Sequence, residues 1–163
     1  MRFVQALIFV FVIGFTVLAA CTSMPSSGGQ PALPKSTLII ETAQGPVEFI
    51  VEFADEPNEI QMGMMFRQSI GKNEGMLFDI GHTRVAFFWM RNTLISLDII
   101  FVDGQGRIIN VAANATPLSE ETLYSEQPAR GVLEIRGGRS AELGIASGSI
   151  VRHSLFENDL PLH

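Results

Sequence analysis

Cysteine is nearly absent from this 163-residue chain; Cys21 is the only one. No intramolecular disulfide can form, and the part expected to fold carries no thiol, which is compatible with an oxidising compartment. Histidine is also scarce. His82, His153 and His163 stand at no zinc-ligand spacing from one another or from Cys21. Positive charge is thin: 11 Lys and Arg face 17 Asp and Glu, the formal net charge is −6, and no run of five basic residues occurs. That argues against nucleic acid as a partner, because phosphate binding needs clustered cations. A nucleophile elbow, a phosphate loop, a metal-protease helix and a dinucleotide fingerprint are missing too. The sequence therefore names no catalytic residue, and neither a metal nor a cofactor is expected.

One long apolar run is present. After Arg2, residues 3–20 are apolar except for Gln5 and Thr16, and the run ends Leu18-Ala19-Ala20-Cys21. This resembles a bacterial lipoprotein signal, in which small residues precede a cysteine that is lipidated and becomes the mature N-terminus. Acyl chains then supply the anchor at roughly 0.8 kcal/mol per buried methylene. An uncleaved membrane helix and a plain secretory signal are the competing readings. The cysteine's place at the end of the run favours the lipoprotein. The segment that follows is rich in Ser, Gly and Pro and buries no apolar area, so a flexible tether is expected. The expected organisation is a signal over 1–20, lipidated Cys21 and tether over 21–36, a domain over 37–157 and a tail over 158–163. Such a protein is exported to the bacterial cell envelope, facing the periplasm in a Gram-negative cell, with the membrane as its partner through Cys21.

The domain is organised around Phe87-Phe88-Trp89-Met90-Arg91-Asn92-Thr93-Leu94-Ile95-Ser96-Leu97-Asp98-Ile99-Ile100-Phe101. Two apolar, β-branched and aromatic runs flank the polar insert Arg91-Asn92-Thr93, and each run reads as a buried strand. Residues 37–42 and 47–54 read as a hairpin, with Val47, Phe49, Val51 and Phe53 on the core face. Asp55 reads as the N-cap of a helix running to about Met64, in which Gly63 signals close packing or the helix end. Residues 76–80 and 84–90 read as two strands joined at Gly81-His82-Thr83. Residues 97–102 and 107–112 pair through Asp103-Gly104, the strongest hairpin signal present. An acidic loop covers 114–129, and a strand follows over 131–136. A helical turn over 140–143 stops at Gly144, with Ile145 placed for the hydrophobic contact of its cap. Residues 150–156 close the domain. Short strands with few helices predict a mainly β, single compact domain, either a β-sandwich of jelly-roll-like type or a barrel, with one or two short helices.

Five segments resemble one family: Gln61-Met62-Gly63-Met64-Met65-Phe66-Arg67, Gly75-Met76-Leu77-Phe78, Phe88-Trp89-Met90-Arg91-Asn92-Thr93-Leu94-Ile95, Leu97-Asp98-Ile99-Ile100-Phe101 and Val132-Leu133-Glu134-Ile135. Together they are similar to the domain of unknown function 192 family (uncharacterised ACR), over most of residues 37–156. The family pattern has proline where this chain has Ser96, and usually Asp where it has Ser149. The resemblance implies a compact, mainly β, jelly-roll-like domain that is often exported, and it implies no activity.

Candidate chemistry is spread thinly. Arg67 opens a loop and could grip an anion through its planar fork, or simply bond loop carbonyls or Asp98. Asn92, Thr93 and Asp98 flank the central bend. With Arg67 they are expected to line a polar recess suited to an anionic or hydroxyl-rich small ligand. Asp98 could be a general base; capping turn amides is the preferred reading. Glu134, inside an apolar strand, is expected to face outward. Met62, Met64, Met65, Met76 and Met90 could bind Cu(I), but core packing is the preferred reading. Trp89 is expected to be buried, leaving Tyr124 as the surface aromatic. Three functions remain open: an accessory or ligand-binding lipoprotein, with a small ligand or an envelope protein as partner; a hydrolase using Asp98 or Glu134 with Arg67 and Asn92; and a structural interaction module.

Overall fold

The computed structural model describes residues 29–158. Cys21, the leader and the first part of the tether lie outside the described residues. No helix among the described residues is long and apolar enough to cross a membrane.

The chain folds as a mainly β domain. Nine strands follow in order: β1 (Lys35–Thr42), β2 (Gly45–Ala54), β3 (Glu74–Arg84), β4 (Phe87–Phe88), β5 (Leu97–Val102), β6 (Ile108–Ala115), β7 (Leu123–Tyr124), β8 (Ala129–Arg136) and β9 (Ile150–Arg152). Helix α1 (Pro57–Met62) lies between β2 and β3, helix α2 (Arg139–Leu143) follows β8, and a 3₁₀ turn spans Ser154–Phe156. Seven strands form one sheet in the order β6-β5-β8-β3-β2-β1-β9. A bridge between Arg107 and Ile150 joins the two edges. The sheet is thus curled back on itself, which answers the choice between sandwich and barrel in favour of a barrel-like sheet. Strands β4 and β7 make a separate two-stranded piece.

Most pairings are antiparallel, but β2 and β3 run parallel. Parallel neighbours need a crossover, and α1 lies in it. The strand alternation then builds two apolar layers. Leu38, Ile40, Phe49, Val51, Leu77, Ile100, Val102, Leu133 and Ile135 pack inside the curl, closed by Ile145 and Phe156. Met76, Phe78, Ile99, Phe101 and Val132 point the other way and are covered by Met64, Met90, Ile60 and Phe88. The central strands β3, β5 and β8 are therefore buried on both faces, as the unbroken apolar run Leu97 to Val102 requires.

Several local expectations need correction. The first strand starts at Lys35, and the chain is held to the domain earlier still. Gln30 Nε2 donates to the Gly63 carbonyl (3.0 Å), and the Leu33 amide donates to Glu52 (2.9 Å). The helix N-cap is Glu56, not Asp55, and Glu59 accepts from both their amides. Gly63 ends the helix at φ 48° and ψ −132°, with the Phe78 ring 3.3 Å from where a Cβ would stand. Residues 76–84 do not reverse at Gly81. They form one strand, in which Gly81 (φ 80°) lies within an irregularity between Asp79 and Arg84. Trp89 is not buried. Beyond the two-residue β4 the chain leaves regular pairing, and Trp89 is 44% exposed with the Arg91 guanidinium 4.2 Å from its ring centroid.

Candidate functional site

The structure does not gather Arg67, Asn92, Thr93, Asp98 and Tyr124 into one recess. Arg67 pairs with Glu52 rather than Asp98, through two parallel bonds of 2.7 and 2.8 Å. Burial pushes the Glu52 carboxyl up, but bonds from Arg67 and the Leu33 amide, with the Arg67 and Lys35 charges, hold it below the ordinary carboxylate range. The fork that would have gripped an anionic ligand is therefore occupied. Asp98 is 0% exposed and sits at the entry to β5. Its Oδ1 accepts from the amides of Asn114 (2.8 Å) and Gly138 (2.9 Å), and its Oδ2 from Ser140 (2.7 Å). This carboxylate ties the end of β6 to the start of α2, the amide-capping role that its place between Leu97 and Ile99 suggests.

Asn92 and Thr93 shape the bend between the two apolar runs. Asn92 adopts φ 58°, its carbonyl accepts from the Phe66 amide (2.8 Å), and its side-chain amide reaches Met65 Sδ (3.8 Å). Thr93 is buried, with its amide bonded to the Met90 carbonyl and its own carbonyl accepting from Leu118. These residues clip the Met65-Phe66 segment to the bend. Tyr124 is 60% exposed on β7, opposite Phe87, so its expected surface position holds.

A different group has the chemistry. Glu134 is buried, against the expectation of an outward side chain: it projects from the middle of β8 on the face opposite Leu133 and Ile135, beneath the covering apolar layer. It is flanked by Met76 of β3 and Ile99 of β5. It is 4% exposed, and its Oε2 has no hydrogen-bond partner. Burial pushes its carboxyl up to about 8. Over it lies a cavity of roughly 170 Å³. The segment from Ile60 to Met65 forms one side, Phe87, Phe88 and Trp89 form the other, and Phe78 completes the lining. Apart from Glu134, the polar side-chain groups there are the Gln61 amide and the Trp89 indole N–H. Among the described residues no group of three His, Cys, Asp or Glu side chains could hold a metal ion.

Sequence reasoning missed this carboxyl because alternation alone allows either face of β8. The signal lay in the flanks: Val132, Leu133 and Ile135 put apolar side chains on both faces of the strand, which marks it as covered on both sides and leaves Glu134 no wet side.

Residues 38–153 match the domain of unknown function 192 family, described as an uncharacterized ACR. The chain belongs to this family. The Met62-Met64-Met65 and Phe88-Trp89 segments that wall the cavity carry two of the motifs by which it resembles the family. A solved structure from Novosphingobium aromaticivorans DSM 12444, a protein of unknown function, is 40% identical with a TM-score of 0.74. That match covers 86% of this chain and 100% of the other. A second, from Sinorhizobium meliloti 1021 and described as a candidate transcription regulator, is 34% identical with a TM-score of 0.74. It covers 78% of this chain and 99% of that one. No curated protein matches.

Proposed function

We propose that this family member is an envelope-anchored lipoprotein whose domain binds a small, largely apolar ligand above Glu134. The carrying observation is the cavity itself. It is walled by methionines and aromatic rings and is lined by the buried Glu134, whose side chain receives no hydrogen bond from the described residues. A mainly apolar pocket with one placed polar group is the usual form of a small-molecule site. A cavity near 170 Å³ suits a ligand about the size of benzene, which an engineered apolar cavity of about 150 Å³ accepts. The C-terminal position of Cys21 in the leader supports the anchor.

Other readings have less support. A hydrolase needs a partner for its acid, such as a second carboxyl or a nucleophile with a base. The cavity offers Glu134 alone, with Asp98 locked by three amides and Arg67 by Glu52. Transcription regulation, suggested by the Sinorhizobium relative, finds little support in a net charge of −6 without a basic run. Trp89 is the only tryptophan, so its emission reports on the cavity. Titrating the full-length protein with a panel of benzene-sized molecules should shift Trp89 emission and raise Tm for at least one class. A panel that moves neither contradicts the ligand-binding reading.

A further inference from the structure

We infer that the ligand above Glu134 is a small organic amine, its ammonium against the Glu134 carboxylate and its short apolar body between the methionines and the aromatic rings. This rests on the ligand-binding reading above. Three carboxyls of the described domain are buried, Glu52, Asp98 and Glu134, and the first two have partners. Glu52 holds Arg67 through two bonds and Asp98 holds three amides, while half-buried Asp79 holds Arg130. Glu134 Oε2 has no hydrogen-bond partner, and no described residue donates to this side chain. A buried carboxyl of this kind calls for a donor. The missing donor is thus the feature a ligand would bring.

The walls favour a cation over a neutral donor. Phe78, Phe88 and Trp89 line the cavity, and aromatic faces attract ammonium and guanidinium groups. The Trp89 ring already takes the Arg91 guanidinium. An anion would find no cationic side chain in the lining, only the Gln61 amide and the Trp89 indole N–H as side-chain donors, and would face the carboxyl. Among the described residues, no other titratable group lines the cavity or lies beside Glu134 in the sheet. Its strand neighbours are Met76 and Ile99, α1 and its extension give apolar side chains, Gly63 and Gln61, and the β4 side gives Phe87, Phe88 and Trp89. An arriving ammonium therefore meets a protonated Glu134 below about pH 8. Binding displaces that proton to the buffer: the O–H bond breaks, its electron pair stays on the carboxylate, and the ammonium keeps its own protons.

Isothermal titration of the full-length chain in detergent tests this with benzylamine and its neutral isostere benzyl alcohol. At pH 6.5, in two buffers of different ionisation enthalpy, benzylamine should release about one proton per molecule bound. Its affinity should rise roughly tenfold per pH unit between pH 6 and 7.5. Benzyl alcohol should show neither effect. Glu134→Gln should weaken benzylamine at least tenfold and abolish proton release while benzyl alcohol still binds. Benzyl alcohol binding without benzylamine, or benzylamine binding without proton release, overturns the amine and leaves the pocket. If neither binds, the ligand-binding reading fails with it. The wild-type proton count decides the matter even where the variant does not fold.

Discussion

At the scale of single residues, two carboxyls of this domain behave in opposite ways. Glu134 keeps a proton on folding that the unfolded chain gives up above about pH 4.5, the ordinary value for the group. Its folded value near 8 means that the folded state binds more protons between those limits, so stability falls as pH rises through that window. Glu134→Gln removes the slope. Urea unfolding should show wild type losing roughly 2–4 kcal/mol relative to the variant between pH 5 and 8; parallel profiles would mean that Glu134 ionises freely. Glu52 is the reverse case. Its carboxyl is held low, so its contribution is present at neutral pH and lost as pH falls through the folded value. Arg67→Ala strands Glu52 and should cost about 2–3 kcal/mol at pH 7, less in acid where Glu52 is protonated. A cost that is the same at both pH values would show that the pair matters little. The Glu52 role was not legible in the sequence, because its partner Arg67 lies on the loop after α1. Arg67 lies 15 positions from Glu52, on whose strand alternation had marked the Glu52 face as wet. What encloses that face is Leu33 and Arg67 themselves.

At the scale of elements, the hairpin at Asp103-Gly104 was fully legible because its bonds are local. Asp103 Oδ1 accepts from the Gln105 and Arg107 amides at 2.9 and 2.8 Å, and the Asp103 amide donates back to the Arg107 carbonyl. The stop at Gly144 was legible for the same reason: the glycine adopts φ 66°, and the Ile145 amide donates to the Ser140 carbonyl. Elements whose course is set by distant partners were not. Gly81-His82-Thr83 carries every mark of a turn, yet β8 holds both flanks and the strand runs on to Arg84. Phe87 and Trp89 belong to an apolar run, yet only Phe88 and Met90 turn inward, and Phe87 is left 67% exposed. The Asp98 amide clasp joins β5, β6 and α2, so it is predicted to be the costliest single side chain to remove. Asp98→Ala should cost about 3–5 kcal/mol by leaving three amides without their acceptor, and Asp98→Asn clearly less, since one oxygen remains. Equal losses in chemical denaturation would show that packing, not the amide bonds, sets the cost.

At the scale of the whole molecule, the strand pattern indicated the class and the resemblance of five segments the family, and the closure of the sheet required the structure. The bridge from Arg107 to Ile150 joins edges 43 positions apart and leaves no local mark. The proposed layout is an acyl anchor, a short linker and a barrel-like domain whose first fixed contacts are those of Gln30 and Leu33. Cys21→Ser should release the protein from the membrane fraction or block its maturation, read by fractionation and intact mass. Unchanged attachment and mass would refute the lipoprotein anchor.

The proposed function depends on a carboxyl held dry and unpartnered at a ligand cavity. A carbon-13 NMR titration of the Glu134 side chain in the full-length protein tests this most directly. A midpoint near 8, moving downward when benzylamine is added, is the predicted result. A midpoint near 4.5, unmoved by the amine, would contradict it.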